Sequence, residues 1–407
     1  MPDTLLTLNR GSSSMKFALF QLLPDGLKRL LGGKVVNLDG NAPEGAAHDT
    51  SGNLIWEHRW TGPECPSEIQ LLDKLLEFVT GHSGTASLAA IGHRIVHGGT
   101  ELIAPTRLDS GVMEKLEALC PFAPLHQPHN LSAVRALAQM RPGLPQIGCF
   151  DTAFHAGQDA MLTRIALPRS LTEQTGLRRF GFHGLSYEYI TGRLRELNPA
   201  KAAGRTIIAH LGAGASLCAV HNGRSIETTM GFSVLDGLVM ATRCGALDPG
   251  VILYLARQRG MAISEIEDIL YHHSGLAGLS GIGGDMQVLL ASENPCAREA
   301  LDLYIWRIAR EAGALTSTLA GLDNFVFTAG VGENASAIRA AVCARLAWLG
   351  IETDEAANLS AGPCISTPSS RVSVWVIPTD EEQVIARGTL ACLREPAGQH
   401  IHLEGRP

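Results

Sequence analysis

Two stretches of small residues have the composition of phosphate-holding turns. Asn9-Arg10-Gly11-Ser12-Ser13-Ser14-Met15-Lys16 links two apolar runs, and Gly212-Ala213-Gly214-Ala215-Ser216 does the same half a chain later. Small side chains let backbone N–H groups approach phosphate oxygens, serine hydroxyls add donors, and Lys16 adds charge. A plain polar hairpin turn would use the same residues, so neither stretch is diagnostic alone. Neither is a Walker loop, because G-x-x-x-x-G-K-[ST] occurs nowhere in the chain. A third stretch, Gly330-Val331-Gly332-Glu333-Asn334-Ala335, follows an apolar run and opens a helical pattern. It fits the G-x-G-x-x-A variant of the dinucleotide fingerprint, with Glu352 and Asp354 about 20 positions on. A nicotinamide-dependent oxidoreductase is thereby left open, although the two hairpin loops would then have no role.

Three arginines and two histidine-bearing turns supply candidate anion contacts. Arg94 lies in Gly92-His93-Arg94-Ile95-Val96-His97-Gly98-Gly99, ahead of a Gly-Gly turn, and a guanidinium matches a carboxylate or phosphate bidentately. On a strand, Arg94, Val96 and Gly98 would share one face and His93 with His97 the other. That histidine pair could ligate a metal or sit in the core. Asp151 directly follows the apolar run Gln146–Phe150, and α/β sites form at such strand ends, unless the residue only caps the next helix. Arg179-Phe180-Gly181-Phe182-His183-Gly184 is either an anion cradle or turn punctuation. Arg243, in Ala241-Thr242-Arg243-Cys244-Gly245, is a further anion contact or an exposed loop charge.

The elements that must hold these residues alternate between strand and helix. TLLTLN at Thr4–Asn9 reads as a buried strand, followed by a turn at Arg10–Ser14 and a second strand from Lys16 to Leu23. A shift of 202 residues lays Thr4 on Thr206, Leu6 on Ile208 and Ser14 on Ser216. There TIIAHL, GAGAS and LCAVH repeat the pattern, and Asn222-Gly223 adds a hairpin turn before RSIETT. The spacing of apolar residues predicts helices at Ser67–Thr80, Ser110–Cys120, Asn130–Met140, Glu299–Leu319 and Ala337–Leu346. Strands are expected at Gln146–Phe150, Asn324–Thr328 and Arg371–Ile377. Alternation with an internal repeat predicts a duplicated α/β domain.

Bulk properties narrow the function classes. At 407 residues the chain calls for two or three domains. A net charge of -7 with no basic face argues against nucleic-acid binding, so any anionic substrate must meet locally placed arginines. Nine cysteines, an odd number without a C-x-x-C pair, read as reduced thiols in a cytosolic chain. MPDTLLTLNRGSSS lacks a basic stretch followed by an apolar one, so no signal peptide is expected, and no run approaches a spanning helix. The polar end, REPAGQHIHLEGRP, is expected to fray.

In order along the chain, LNRGSSSMK, GHRIVHGG, PLHQPHN, FDTAFH, RRFGFHG, HLGAGAS, ATRCGALDPG, FTAGVGENA and PTDEE resemble the acetate kinase family, which includes propionate and butyrate kinases. The likeness runs from Leu8 to Arg387. It implies ATP-dependent phosphorylation of a short-chain carboxylate, with acetate the first choice and propionate or butyrate the alternatives. The fold implied is α/β, with duplicated actin-like (ribonuclease H-like) domains of the sugar kinase–actin–Hsp70 type and an active site in the cleft between them. Residues 1–152 with 384–407 would form the acyl-substrate side, and 153–383 the nucleotide side. By resemblance, Arg94 and Arg243 bind the carboxylate and the travelling phosphoryl group, His183 stabilises the transition state, and Asp151 orients the attack. Asn9 and Glu381 would hold Mg²⁺, or Mn²⁺ in its place. Ser12, Ser14 and Lys16 would line the phosphate path with His210, Leu211, Gly212, Ala213 and Gly214. Asp285, Met286, Gln287, Gly330, Val331, Gly332, Glu333 and Asn334 correspond to the nucleotide pocket, and Val96, Leu125, Phe182 and Val234 to the acyl pocket. A cytoplasmic homodimer without nucleic-acid or membrane partners is implied as well.

The sequence departs from that family pattern at several positions. Ala213 stands where the second phosphate loop usually has Asn, Gly283 and Gly284 replace a Ser-Ser pair, and Gln287 replaces Arg. Ala246 replaces an acidic residue, Val234 a Pro, Asp236 a Glu and Asp380 an Asn. A non-catalytic actin-like nucleotide switch would keep the nucleotide loops, but it has no need of Arg94, His183 and Arg243 together.

Overall fold

In the first unit, β1 (Thr4–Arg10) is buried along its whole length and turns back into β2 (Met15–Leu23) through a 2.8 Å bond from Gly11 N–H to Ser14 O. This computed structural model describes residues 3–394 apart from 12, 39, 41, 63–64 and 83–85. Ser12 and the polar stretch after Arg394 therefore lie outside the described residues. The chain divides into two units. One holds residues up to Ala153 together with those from Glu381 on, and the other runs from Phe154 to Asp380.

The first unit continues with β3 (Gly26–Val36), β4 (Glu44–Asp49), β5 (Leu54–Arg59), β6 (Leu88–Ile95), β7 (Thr106–Arg107) and β8 (Gln146–Phe150). Its sheet order is β5-β4-β3-β2-β1-β6-β8-β7. The second unit contains β9 (Thr206–Leu211), β10 (Ala215–His221), β11 (Arg224–Thr228), β12 (Asn324–Thr328) and β13 (Ser373–Val376), in the order β11-β10-β9-β12-β13. Five strands thus repeat in one order, β3-β2-β1-β6-β8 against β11-β10-β9-β12-β13. In each set the first three pair antiparallel and the last three parallel. This is the duplication that the 202-residue shift predicts. Asn222 and Gly223, both at positive φ (50° and 76°), make the tight turn of the second hairpin.

The meander β3-β4-β5 escaped the sequence reading. Two adjacent glycines and three basic residues in GLKRLLGGKVV break the alternation that marks a half-buried strand. Packing reveals it, because Leu31 and Val35 join Leu6, Leu8, Met15 and Phe17 in one core with Leu71, Leu72, Leu75, Leu76 and Val79 of the helix Glu68–His82.

Helix boundaries shift for identifiable reasons. The helix expected from Asn130 begins at Gln127, with Pro128 in its first turn, where a missing N–H costs nothing. The helix expected from Glu299 begins at Pro295 and is capped by Asn294, whose side chain accepts from Cys296 N–H at 2.9 Å. Ser336–Arg345 replaces the expected Ala337–Leu346, and the strand at Arg371–Ile377 narrows to Ser373–Val376. Gly330–Asn334 is not a loop that opens a helix but a short helix of its own, Ala329–Asn334. The helix Glu381–Arg394, unread from sequence, sets Ala386 against Leu5, Ala18 and Phe20 in the first unit.

Burial pushes three histidines, His93, His97 and His155, down to about 4 from the ordinary 6.5, and bonds to Gln146 and Phe182 offset this only in part at His93 and His155. Each stays neutral in the fold where the unfolded chain would already be protonated. Between pH 6.5 and about 4 the unfolded state binds more protons, so stability is full above that window and falls as pH drops through it. Urea midpoints measured from pH 7 down to pH 5 are expected to decline steadily. A flat profile would contradict neutral burial.

Candidate active site

Parallel pairing of β1 with β6 and of β6 with β8 brings the ends of these three strands together. Asn9, Arg94 and Asp151 therefore meet, although they lie far apart in sequence. The Arg94 guanidinium grips Asp151 with Nε 3.1 and 3.0 Å from the two carboxylate oxygens and Nη2 2.6 Å from Oδ2. Its Nη1 donates to Asn9 Oδ1 at 3.1 Å, and Asn9 Nδ2 donates to Glu381 Oε2 at 2.8 Å. Asp151 is 1 % exposed. Burial alone would lower the Arg94 pKa, but the charges of Asp151, Glu381 and Glu382 outweigh it and raise the pKa above its usual value. Arg94 is thus a permanent cation, held on one side and with 16 % of its side chain still accessible.

Around this constellation the other first-unit candidates take defined places. Lys16 lies directly across from Asn9 in the β1–β2 register and is exposed. The Ser14 carbonyl closes the loop between them. β6 stops at Ile95, so Val96 and Gly98 lie beyond the strand instead of sharing its face with Arg94. Val96 is buried, its N–H bonded to Asn130 Oδ1 at 2.9 Å, and Leu125 is half-buried. His93 Nε2 faces Gln146 Oε1 at 2.8 Å, and His97 Nδ1 accepts from Gly99 N–H at 3.0 Å. Among the described residues no group of three or more His, Cys, Asp or Glu could hold a metal. The histidine pair belongs to the core.

The second unit gathers His183, His210, Arg243 and Gly214. His183 sits at φ 58° just ahead of the helix Gly184–Leu197, with Nδ1 2.8 Å from Ser216 Oγ. Tyr187 OH bonds the same hydroxyl. The His183 ring stacks on His210 with centroids 4.2 Å apart, and His210 Nδ1 lies 2.8 Å from Ser186 Oγ. Ser186 in turn meets Thr379 Oγ1 at 3.0 Å. A Cβ on Gly214 would stand 3.0 Å from Arg243 Nη2 and 3.3 Å from His183 Nε2, so this glycine leaves room for both. Arg243 donates to Val234 O at 2.8 Å, and backbone bonds from Ser274, Leu276 and Ala277 secure residues 240–242. Phe182 and Val234 are buried in this unit, and His155 supports the turn from below by a bond to Phe182 O.

Residues expected at the nucleotide hold much of their own scaffold. Asp285 caps the helix Met286–Ala291 by accepting from Gln287 and Val288 N–H, while Met286 is buried and Gln287 exposed. Glu333 Oε1 accepts from Ala329 N–H at 2.8 Å and from Thr379 N–H at 3.1 Å, and Asn334 Nδ2 donates to Gly330 O. Gly330 is exposed, Val331 half-buried and Gly332 buried; Leu211 ends β9 in the core. Gly212 N–H bonds Gly214 O at 3.0 Å, leaving Ala213 exposed at the tip of the loop. Gly283 has φ 103°, and a Cβ on Gly284 would lie 2.4 Å from Ala241 O, so two serines would not fit this backbone.

Sequence reasoning missed Ser186, Tyr187, Thr379 and Asn130, and it quoted Ser216 without a role. Ser216 was detectable as the repeat partner of Ser14, and Asn130 as part of PLHQPHN. Ser186 and Tyr187 carried no signal, because the helix Gly184–Leu197 went unread. Among the described residues no helix is long and apolar enough to cross a membrane.

Comparisons with known proteins agree over nearly the full length. The sequence profile of the acetokinase family matches residues 4–387. An acetate kinase of Rhodopseudomonas palustris is 50% identical, covering 95% of this chain and 98% of its own. The crystal structure of a propionate kinase from Francisella tularensis superposes with a TM-score of 0.87 at 33% identity, covering 95% of this chain and 98% of that one. That of Porphyromonas gingivalis acetate kinase gives 0.83 at 33% identity, covering 96% and 100%.

Proposed function

The chain belongs to the acetokinase family, and from that premise we propose that it transfers the γ-phosphoryl group of ATP to the carboxylate of acetate, giving acetyl phosphate and ADP. Propionate is the second acceptor, on the likeness to the Francisella enzyme. The observation that carries the reading is an accessible arginine in each unit, set among chemistry-bearing neighbours: Arg94 on Asp151 and Asn9, Arg243 beside His183 at Gly214.

Phosphoryl transfer needs placement and charge neutralisation more than covalent chemistry. Both reactants here are anions, so we assign Arg94 and Arg243 to the carboxylate and the moving phosphoryl group, and His183 to the charge that develops between them. The acceptor is already deprotonated at pH 7 and requires no base. Asp151, with both oxygens engaged by Arg94, therefore fixes geometry. Asn9 and Glu381 suit Mg²⁺ by type, because the bond from Asn9 Nδ2 to Glu381 Oε2 keeps an amide and a carboxylate side by side, and Asn9 Oδ1 with the Glu381 carboxylate would be the oxygen ligands of a cation that also takes water and phosphate oxygens. Bound there, Mg²⁺ would neutralise phosphate charge. His210–Gly214, Lys16 and Ser14 line the phosphate path, and Val96, Leu125, Phe182 and Val234 the acyl chain. We also place the chain in the cytoplasm as a homodimer; nine cysteines, an odd number without a C-x-x-C pair, support a reducing compartment.

Trapping of acyl phosphate from ATP with acetate, propionate or butyrate tests the proposal. Failure to form product with any of the three would end it, and the ratio of kcat/KM values ranks the acceptors.

Ala213→Asn tests the nucleotide loop. An Asn amide can donate to a phosphate oxygen, worth about 1.5–3 kcal/mol where the acceptor is charged, less what water already supplies. Position 213 is exposed, so the side chain has room. A several-fold lower KM for ATP or higher kcat is expected. Lost activity with an unchanged melting temperature would show that the neighbouring glycines and Gln287 have reshaped the pocket so that Asn no longer fits.

A further inference from the structure

Lys16 has a second lysine directly opposite it. In the antiparallel β2–β3 register Lys16 pairs with Lys34, as it pairs with Asn9 on its other side. Directly opposed residues point to the same face of a sheet. Asn9, Lys16 and Lys34 therefore form a row across three strands, on the face opposite the core that Met15, Phe17 and Val35 enter. Both lysines are exposed, and among the described residues neither makes an ion pair or a side-chain hydrogen bond. Beyond Lys34 the row continues with Ala46 on β4 and Glu57 on β5, and at its other end Asn9 bonds Glu381.

Like charges directly opposite each other destabilise a sheet. A chain of net charge -7 has carboxylates to spare, yet among the described residues none forms an ion pair with either lysine, Glu381 being bonded to Asn9. Strand spacing puts Lys34 roughly 10 Å from Asn9 along the row, a span that a triphosphate and a flexible lysine can bridge. The segment just past β3 also holds the loop itself, because Leu38 N–H donates to Ser13 O at 3.0 Å.

We propose that Lys34 acts with Lys16 as a paired cationic site for the polyphosphate chain of the nucleotide. The inference rests on the kinase reading above and extends it to a residue outside the family motifs. The repulsion between the lysines is relieved when the anion binds, so free-state stability and nucleotide affinity oppose each other at this position.

Lys34→Glu separates that role from a structural one, because it places an opposite charge across from Lys16. The free variant is expected to melt about 1–2 °C higher than the parent. KM for ATP should rise about three- to tenfold, the size of one partly solvated charge-assisted contact, with kcat little changed. Lys34→Ala should raise KM less, Lys34→Arg should retain the parental value, and the contrast should shrink at high salt. A raised melting temperature with unchanged KM would show a surface charge only and overturn the proposal. A lowered one with lost activity would show a structural residue and overturn it equally. Should the parent make no acyl phosphate, the functional reading fails separately. The rise in melting temperature that ATP produces then still tests the pair, and must be smaller in Lys34→Glu than in the parent.

Discussion

Arg243→Ala is expected to lower kcat/KM by about two to four powers of ten, since a charge clamp on a transferring phosphoryl group is worth about 10³–10⁵ in rate. The fold should survive. Arg243 is half-buried and donates to the backbone carbonyl of Val234, while residues 240–242 are secured by main-chain bonds of their own. Melting temperature should therefore stay near the parental value while turnover collapses. Arg243→Lys should recover little, because an ammonium cannot hold Val234 O and still present a planar fork to the phosphoryl group. Steady-state kinetics paired with thermal unfolding decides the matter, and near-parental activity would remove Arg243 from the site.

Arg94→Ala should be as damaging to rate but also costly to the fold. Its partner Asp151 is 1 % exposed and receives three guanidinium contacts. Removing one member of a buried pair leaves an uncompensated charge, at a cost of about 3–5 kcal/mol. Urea unfolding of Arg94→Ala should show that loss. The double variant Arg94→Ala, Asp151→Asn removes the stranded charge and should regain much of the stability, yet none of the activity. A double variant that regained turnover would assign the catalytic loss to Asp151 instead. Arg94 grips a buried carboxylate and Arg243 donates to a backbone carbonyl, and the two experiments read what each contributes to fold and to rate.

Much of this site is legible in the sequence. Glycine and serine clusters at the ends of apolar runs, repeated 202 residues apart, identify both hairpin loops, and the repeat itself foretells a duplicated α/β unit, seen as five strands that recur in one order. Local chemistry suffices there, because a tight turn between two strands tolerates few residue types. Asp151 is recognisable from its place after a strand. Periodicity fails where other demands override it: β3 carries glycines and lysines within a strand, and Gly330–Asn334 forms a helix despite its two glycines.

By itself, then, the sequence marked candidate residues by type and spacing, and several of the strands that carry them. Only tertiary structure decided their partners. Asn9 meets Glu381 across 372 positions, Arg94 meets Asp151 across 57, and His183 finds Ser216 across 33. Strand spacing and side-chain period specify which face a residue occupies, not which distant strand lies beside it. That order follows from burying apolar faces cooperatively over a whole unit, and a linear pattern does not encode it residue by residue. The same reason explains the histidines. His93 and His183 sit in similar glycine-flanked motifs, yet packing buries one against Gln146 and stacks the other on His210 beside Gly214.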